Sequence, residues 1–418
     1  MNRRLRIALV ADTYPPQRTS GAVQLRDLSR EFIRQGHHLT VLLPAADLEQ
    51  PWQLDVVDGV EVLRLQAPRT KDLGYVRRTI GEGLMPLAMR RNFMRSPLAA
   101  TRWDAVVWYS PSIFHGLFVN AIKRASGCKG YLILRDLFPE WAVDMGLMGR
   151  GLPYRFFAAV ARYQYAVADV IGVQAAGNLD YFRQWQRKPG RQLEVLENWL
   201  AQAGQAKSPI RLEETPLAGR KVLAYAGNMG VAQGLDIIIE VADRLKARED
   251  VGFLFVGRGS DASRLRKLSQ ERQLPNVAFF DEIDPDQIPD LYAHCAAGIV
   301  ALDPRHRSHN IPGKFLTYLQ SGLPVLACVN GGNDLAQIIR DERVGQVTEG
   351  HQIEALERCA RELLDQVAED PDLPARCRRL FDQRFAAATA VRQIVAAVAG
   401  DSSTASAATT PPSAPSPH

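Results

Sequence analysis

Short apolar runs alternate along the chain with stretches in which apolar residues recur at helical spacing. RIALVAD (6–12), HHLTVLLP, DAVVWYSP (104–111) and KGYLILRD are runs of strand length, bounded by glycine, proline or charged residues. The stretch from about Gly21 to Gln35 and the segment HGLFVNAIKRASG are helix-patterned. The opening strand, Gly-containing loop, helix and second strand make a βαβ unit. PYRFFAAVARYQYAVADVIGVQAAGNLDYF reads as helix, strand, helix, and QLEVLENWL closes this half. KVLAYAGNMGVAQGLDIIIEVADRL starts a second series of strand, glycine loop and helix. VGFLFVGRGS, NVAFFDEI and the end of IPDLYAHCAAGIVAL continue it as strands. The expected fold class is therefore α/β with two Rossmann-like domains. The expected boundaries are 1–200 for the first domain, 201–220 for a polar linker and 221–375 for the second domain. Residues 376–400 are expected to be a closing helix and 401–418 a disordered Ser/Ala/Pro/Thr tail.

One stretch, SHNIPGKFLTYLQSGLPVLACVNGGNDL (308–335), carries most of the chemistry. Asn310 suits an N-cap and Pro312 the first turn of a helix. Phe315, Leu316 and Leu319 form its apolar stripe, and Lys314, Thr317 and Ser321 share the opposite face. Gly322 suits the C′ position. LPVLAC is a buried strand, Asn330-Gly331-Gly332 a turn, and Asn333 or Asp334 the cap of the next helix. Lys314 falls in a first turn, where the helix dipole disfavours a cation by roughly 0.3–1 kcal/mol. An anion held between Lys314 and the free N–H groups would relieve the conflict; a solvated surface lysine is the alternative.

The remaining candidates also lie at strand ends. Asp136 follows Arg135 past the end of KGYLILRD, where doubly wound sheets bind ligands; Glu140 and Asp144 are second choices. Gly227, Gly230 and Gly234 do not make G-x-G-x-x-G, and no acidic residue follows VGFLFVGRGS directly, which argues against a dehydrogenase. Backbone N–H groups in such a loop suit a diphosphate. Arg258, at a strand end, is the guanidinium candidate for phosphate.

The order of helix, xGxPV strand, Gly-Gly turn and amide or acidic cap resembles the donor site of family-4 retaining glycosyltransferases with the GT-B fold. NIPGKFLTYLQSGLPVLA is similar to the WbuB-like subgroup of bacterial polysaccharide enzymes. The resemblance runs from Arg6 to about Val398. It implies two Rossmann-like domains facing across a cleft, with the last helix crossing back to the first domain. It also implies a metal-independent hexosyltransferase without a bound cofactor, acting on a nucleotide-sugar co-substrate. Gly21 would then let backbone approach donor and acceptor. Asn228, Gly230 and Gln233 would lie at the diphosphate, Ile283 at the base and Asn310 at the donor. Thr317 would face the ribose, and Gly332, Asn333 and Asp334 the sugar. Lys314 and Arg258 would stabilise the leaving diphosphate, with Arg305 or Arg307 in reserve, and Asp136 would act on the acceptor. The sequence departs from the common family pattern at four positions. His309 and Thr317 occupy the places of an E-x7-E glutamate pair, and Asn228 and Gln233 those of Arg and Lys.

Composition narrows the setting. The 418 residues are 46% hydrophobic and 23% charged, without an apolar run of spanning length or a signal-peptide pattern. Five scattered cysteines suggest neither a zinc site nor a disulfide framework and fit a reducing cytoplasm. The net charge of +5 is concentrated: residues 69–102 hold eight Arg/Lys against two acids, a local +6. Leu84, Met85, Leu87, Ala88, Met89, Phe93 and Met94 interleave with these arginines. The pattern suits an anionic membrane surface better than nucleic acid, and a helical hairpin packed on its own domain is the alternative. The expected partners are a nucleotide-sugar donor, a lipid-linked saccharide acceptor and the inner face of the plasma membrane. A nucleotide-sugar epimerase or hydrolase of the same fold and a non-catalytic binding subunit are the rival readings.

Overall fold

The structure, a computed structural model, describes residues 3–17, 19–71, 73–204, 206–304 and 311–400. Two compact units emerge. The first holds the chain up to Val173, Leu179–Leu196 and the chain from Ala390 onward; the second holds Gln174–Asn178 and Glu197–Thr389.

The first unit is built on eight strands: β1 (Arg6–Val10), β2 (His38–Ala45), β3 (Trp52–Val57), β4 (Val60–Gln66), β5 (Ala105–Tyr109), β6 (Lys129–Leu134), β7 (Val170–Val173) and β8 (Gln192–Val195). Their order is β3-β4-β2-β1-β5-β6-β7-β8, parallel throughout except for β3 against β4. The direction of winding reverses between β1 and β5, and every residue of β5 is buried. Strands covered on both faces must be continuously apolar, which is why AVVWY carries no polar alternation. The β3–β4 hairpin has no counterpart in the sequence reading above. Its signal was present: Asp58-Gly59 takes positive φ at both residues (53° and 80°), the turn that matches strand twist.

The second unit carries β9 (Lys221–Ala226), β10 (Val251–Val256), β11 (Val277–Phe280), β12 (Ala297–Ala301), β13 (Val325–Val329) and β14 (Gly345–Glu349). They are all parallel in the order β11-β10-β9-β12-β13-β14, so winding reverses between β9 and β12. The helix Gly313–Ser321 lies on one face and Asp236–Arg244 on the other, each buried in its own apolar cluster. The register of the Gly313–Ser321 helix is fixed by Tyr318. Its hydroxyl donates within 3.2 Å of the Ala224 carbonyl and 3.0 Å of the Ile299 carbonyl, and its ring covers Gly298.

Several expectations are corrected. The helix of the central motif begins at Gly313, with Pro312 in the cap position at ψ 136°. Residues 201–220 are not a free linker, because Ile210, Leu212 and Leu217 are buried in the second unit's core. AAGNLDYF is a 3-10 turn followed by a short α-turn, Arg183–Gln186. The closing helix is broken: Leu373–Leu380 runs into a π-turn, Phe381–Phe385, and Ala387–Ala399 follows. The break occurs at Ala386, which turns extended and bridges to Leu200. Within the first unit, Gln393 then donates to Glu194 Oε1 at 2.9 Å and to the Val195 carbonyl at 2.8 Å.

The basic segment forms the helix Tyr75–Phe93, and its apolar residues divide between two faces. Met85, Met89 and Phe93 enter the core and Ala88 packs on it. Leu84, Leu87 and Met94 are exposed, as are Tyr75, Val76 and Ile80.

A methyl group at Gly298 would lie 2.3 Å from the Tyr318 ring. Gly298→Ala is therefore expected to cost about 1–3 kcal/mol through overpacking, read as a lower urea midpoint for the second unit.

Candidate active site

The strand-exit loops of the second unit are stitched into one rim. Gly227 N–H donates to the Val256 carbonyl at 2.8 Å and Met229 N–H to the Arg258 carbonyl at 2.7 Å. Asp303 N–H reaches the Ala232 carbonyl at 3.0 Å, and Asn330 Nδ2 reaches the Asp303 carbonyl at 3.0 Å. These contacts join the exits of β9, β10, β12 and β13 beside the reversal of winding, where an open α/β sheet forms its ligand crevice.

Lys314 projects into this rim from the first turn of its helix. Its Nζ lies 4.7 Å from the centre of the Tyr225 ring. Gly227 makes room for it: at φ 135°, a methyl group there would fall 3.0 Å from both Cε and Nζ of Lys314. Burial lowers the Lys314 ammonium to about 8, and the helix N-terminus opposes the charge as well. No acidic residue occupies the first turn of this helix. The aromatic face offers a cation partial compensation; an anion would offer more.

The other candidates take varied roles. Gln233 shapes the loop: its Oε1 accepts from Gly230 N–H at 2.9 Å and from Asn228 Nδ2 at 3.4 Å. Tyr225 Oη donates to the Asn228 carbonyl at 2.5 Å. Arg258 is exposed and pairs with Glu282 Oε2 at 2.8 Å. An ion pair so open to water contributes about 0–1 kcal/mol, so a diphosphate can compete for the guanidinium. The half-buried Ile283 side chain packs against the core. Thr317 Oγ1 donates to the Gly313 carbonyl at 3.3 Å, one turn back in its own helix.

Gly332 N–H donates to Glu349 Oε2 at 3.0 Å, and Arg340 holds the same carboxylate at 2.6 Å. Asn333 is a buried cap, its Oδ1 accepting from Leu335 N–H at 2.9 Å. That is the cap the sequence predicts at this position. Asp334 occupies the first turn, half-buried. Asn310, and with it Arg305, Arg307 and His309, lies outside the described residues.

In the first unit, Asp136 stands past β6. The residue is exposed, yet restricted hydration of its carboxyl raises its pKa, with Arg135 acting in the opposite direction. Gln24, on the helix Ser20–Arg34, is bonded by Arg135 and by Tyr109 Oη, the latter at 3.2 Å. A methyl group at Gly21 would lie 3.5 Å from Tyr109 and 3.2 Å from Thr13 Cγ2, so this glycine allows the helix to approach β5. Burial raises the Tyr109 phenol; Arg135 lowers it, and Asp136 and Asp12 both raise it. The two carboxylates thus both disfavour ionisation of one phenol, at the β1–β5 reversal.

Asp12, Tyr109 and His115 were missed from sequence, although Asp12 ends a strand just as Asp136 does. His115 is fully buried, and burial lowers its pKa while Asp12 raises it. Asp12 Oδ1, Ser110 Oγ and both ring nitrogens of His115 find no hydrogen-bond partner among the described residues. No described group of three His, Cys, Asp or Glu has the arrangement of a metal site.

Two Rossmann-like units, each with its chemistry at the point where strand order reverses, define a GT-B glycosyltransferase architecture. Residues 20–199 match a glycosyl transferase 4-like domain, and residues 220–366 match glycosyl transferases group 1. These matches span most of the chain, which belongs to this two-domain glycosyltransferase family. A Pseudomonas aeruginosa protein named "Probable glycosyltransferase WbjE" is 24% identical over 81% of this chain and 84% of its own length. WcaI of Escherichia coli (strain K12), named as a colanic acid biosynthesis glycosyl transferase, is 26% identical over 58% of this chain and 61% of its own. The structure of WaaG, a glycosyltransferase involved in lipopolysaccharide biosynthesis, aligns with TM-score 0.58 and 17% identity, covering 94% of this chain and 100% of that one. Anabaena HepE in complex with UDP aligns at 0.62 with 14% identity, covering 95% and 100%.

A lysine lowered to about 8 should react with amine reagents at pH 8 well ahead of ordinary lysines. Competitive labelling read by mass spectrometry should rank Lys314 among the fastest. Gly227→Ala, which pushes on its ammonium, should change that rank.

Proposed function

We propose that the protein is a retaining hexosyl- or N-acetylhexosaminyltransferase in bacterial surface-polysaccharide synthesis. Its donor is a UDP-linked sugar and its acceptor a lipid-linked saccharide. One observation carries the reading: a half-buried ammonium, with no described anion as its partner, waits beside a glycine loop and a helix N-terminus at the reversal of winding. The names of WbjE and WcaI support the sugar-transfer and polysaccharide parts. The UDP in the HepE structure supports the nucleotide.

In this reading the diphosphate lies between the 227–234 loop and the N-terminal turn of Gly313–Ser321. Lys314 neutralises the charge that develops as the glycosidic bond breaks. Arg258 leaves Glu282 to join it, and backbone N–H groups of the loop hold the remaining oxygens. The leaving phosphate assists the acceptor hydroxyl on the same face of the sugar, so no protein nucleophile is required. Asp136 positions that hydroxyl, or partly deprotonates it as the phosphate oxygen takes up its proton, its raised pKa bringing it nearer to the range useful for a base. No metal or cofactor is assigned a role.

The acceptor's lipid places the enzyme at the inner surface of the plasma membrane. Arg77, Arg78, Arg90, Arg91 and Arg95 are exposed on or just after the helix Tyr75–Phe93, among its outward apolar residues, as an anionic surface requires. No described helix is long and apolar enough to cross a membrane.

The first test incubates the protein with UDP-, GDP- and dTDP-sugars and a short-chain polyprenyl-diphosphate saccharide, following nucleoside diphosphate release. Acceptor-dependent release supports the reading; release without acceptor, or isomerised sugar on intact nucleotide, supports hydrolase or epimerase chemistry instead. Lys314→Ala is expected to lower kcat by about a hundred- to a thousand-fold. Asp136→Asn should reduce transfer while leaving UDP affinity unchanged. Because free Lys314 loses its proton at about 8 and a bound diphosphate would restore it, binding must take up a proton above that pH. UDP affinity should therefore weaken as pH rises past 8, by up to roughly tenfold per unit. Calorimetry in buffers of different ionisation enthalpy checks this, and the trend should vanish in Lys314→Ala.

A further inference from the structure

Apolar exposure in the first unit is not confined to the basic helix. The segment after β6 presents Trp141 (44% exposed), Met145 (66%), Leu147 (71%), Leu152 (79%) and Phe156 (48%). Five large apolar side chains facing water within 16 residues are far more than scattered surface hydrophobicity explains. The segment is also firmly built. Phe157 meets Phe114, Phe138 and Phe156 edge to face, and Phe138 meets Trp141, so the exposed rings rest on a ladder leading into the core. Tyr154 and Tyr181 both donate to Glu140 Oε1, at 3.4 Å and 2.7 Å. Leu147 N–H closes a turn on the Ala142 carbonyl at 2.8 Å, with Gly146 at φ 70°. Side chains held this way lose little entropy when something covers them.

Charge and position indicate the covering. Arg150 and Arg155 are exposed among these residues, and Asp144 is the one exposed acid between Trp141 and Phe156. The helix that begins at Leu152 packs on Gly116–Ser126, which packs on the basic helix Tyr75–Phe93, in one helical layer. That basic helix follows β4, which leaves the parallel sheet at the same edge as β6. The exposed Tyr75 and Val76 therefore start at the edge from which the Trp141–Phe156 segment emerges. Apolar and aromatic side chains interspersed with arginine suit the headgroup region of an anionic bilayer.

We infer that the 141–156 segment is a second membrane element, inserting its apolar side chains between phospholipid headgroups while the 69–102 segment supplies electrostatic attraction. It holds the sheet edge bearing Asp136, five residues before Trp141, at the lipid surface. A lipid-anchored acceptor then reaches Asp136 without leaving the bilayer. This inference rests on the membrane part of the proposed function, but not on its sugar chemistry.

The test uses the full chain and phosphatidylethanolamine vesicles containing phosphatidylglycerol. Brominated acyl chains should quench a Trp141 component of the fluorescence that is missing in Trp141→Phe. The Leu147→Asp/Leu152→Asp pair should weaken vesicle binding by about tenfold or more. It should slow transfer to vesicle-embedded acceptor and leave transfer to a water-soluble short-chain acceptor intact. Undiminished binding of that pair to vesicles, or an unquenched Trp141, overturns the inference. Self-association of the native chain that the pair abolishes, without vesicle binding, also overturns it in favour of a second copy as the covering. A native chain that binds vesicles through Trp141 but transfers no sugar would sink the proposed function and leave the membrane element standing.

Discussion

A cation placed where its surroundings disfavour it is the constraint on which the second unit depends. Lys314 meets the positive end of a helix and loses hydration, and among the contacts described, the face of Tyr225 offers it compensation. The arrangement persists because the surrounding structure holds it. Tyr318, one turn along, bonds to carbonyls of β9 and β12 and rests on Gly298, so the helix cannot slide. Gly227 has no side chain to obstruct the ammonium. Electrostatic strain retained in this way is a common property of sites prepared for an anion, since the ligand supplies the missing term.

The first unit solves a different problem with the same sheet logic. Its polar groups gather where β1 and β5 diverge, and they are arranged around Tyr109, not around a cation. Arg135 and Tyr109 share Gln24, while Asp12 and Asp136 both act on the phenol. In the proposed reading the second unit takes the leaving diphosphate and the first the acceptor hydroxyl, a division of labour that fits group transfer.

In the proposed reading, membrane contact and catalysis share an edge of the first unit's sheet. Helices that cover a parallel sheet ordinarily turn their apolar stripe inward and their polar face outward. The helix Tyr75–Phe93 has an inward set, Met85, Met89 and Phe93, and an outward set that includes Tyr75, Val76 and Ile80. Sequence pattern registered the abundance of apolar residues among the arginines without separating these sets, because both recur at helical spacing. Only packing against the core tells them apart.

Much of the fold was legible in the chain itself, for a physical reason. Parallel strands buried on both faces must be continuously apolar, and the helices between them must be amphipathic, so strand positions, the two-domain organisation and the xGxPV motif follow from local chemistry. Lys314 was legible because it violates a local rule. What the chain could not reveal depended on long-range company. Arg258 is turned to Glu282, 24 residues away. His115 resembles any surface histidine until β5 and its neighbours enclose it. The sequence by itself determined which segments become strands and helices, since periodicity and capping act over a few residues. Only the tertiary structure decided which polar groups are desolvated and paired, since burial and hydrogen bonding depend on residues far apart in the chain.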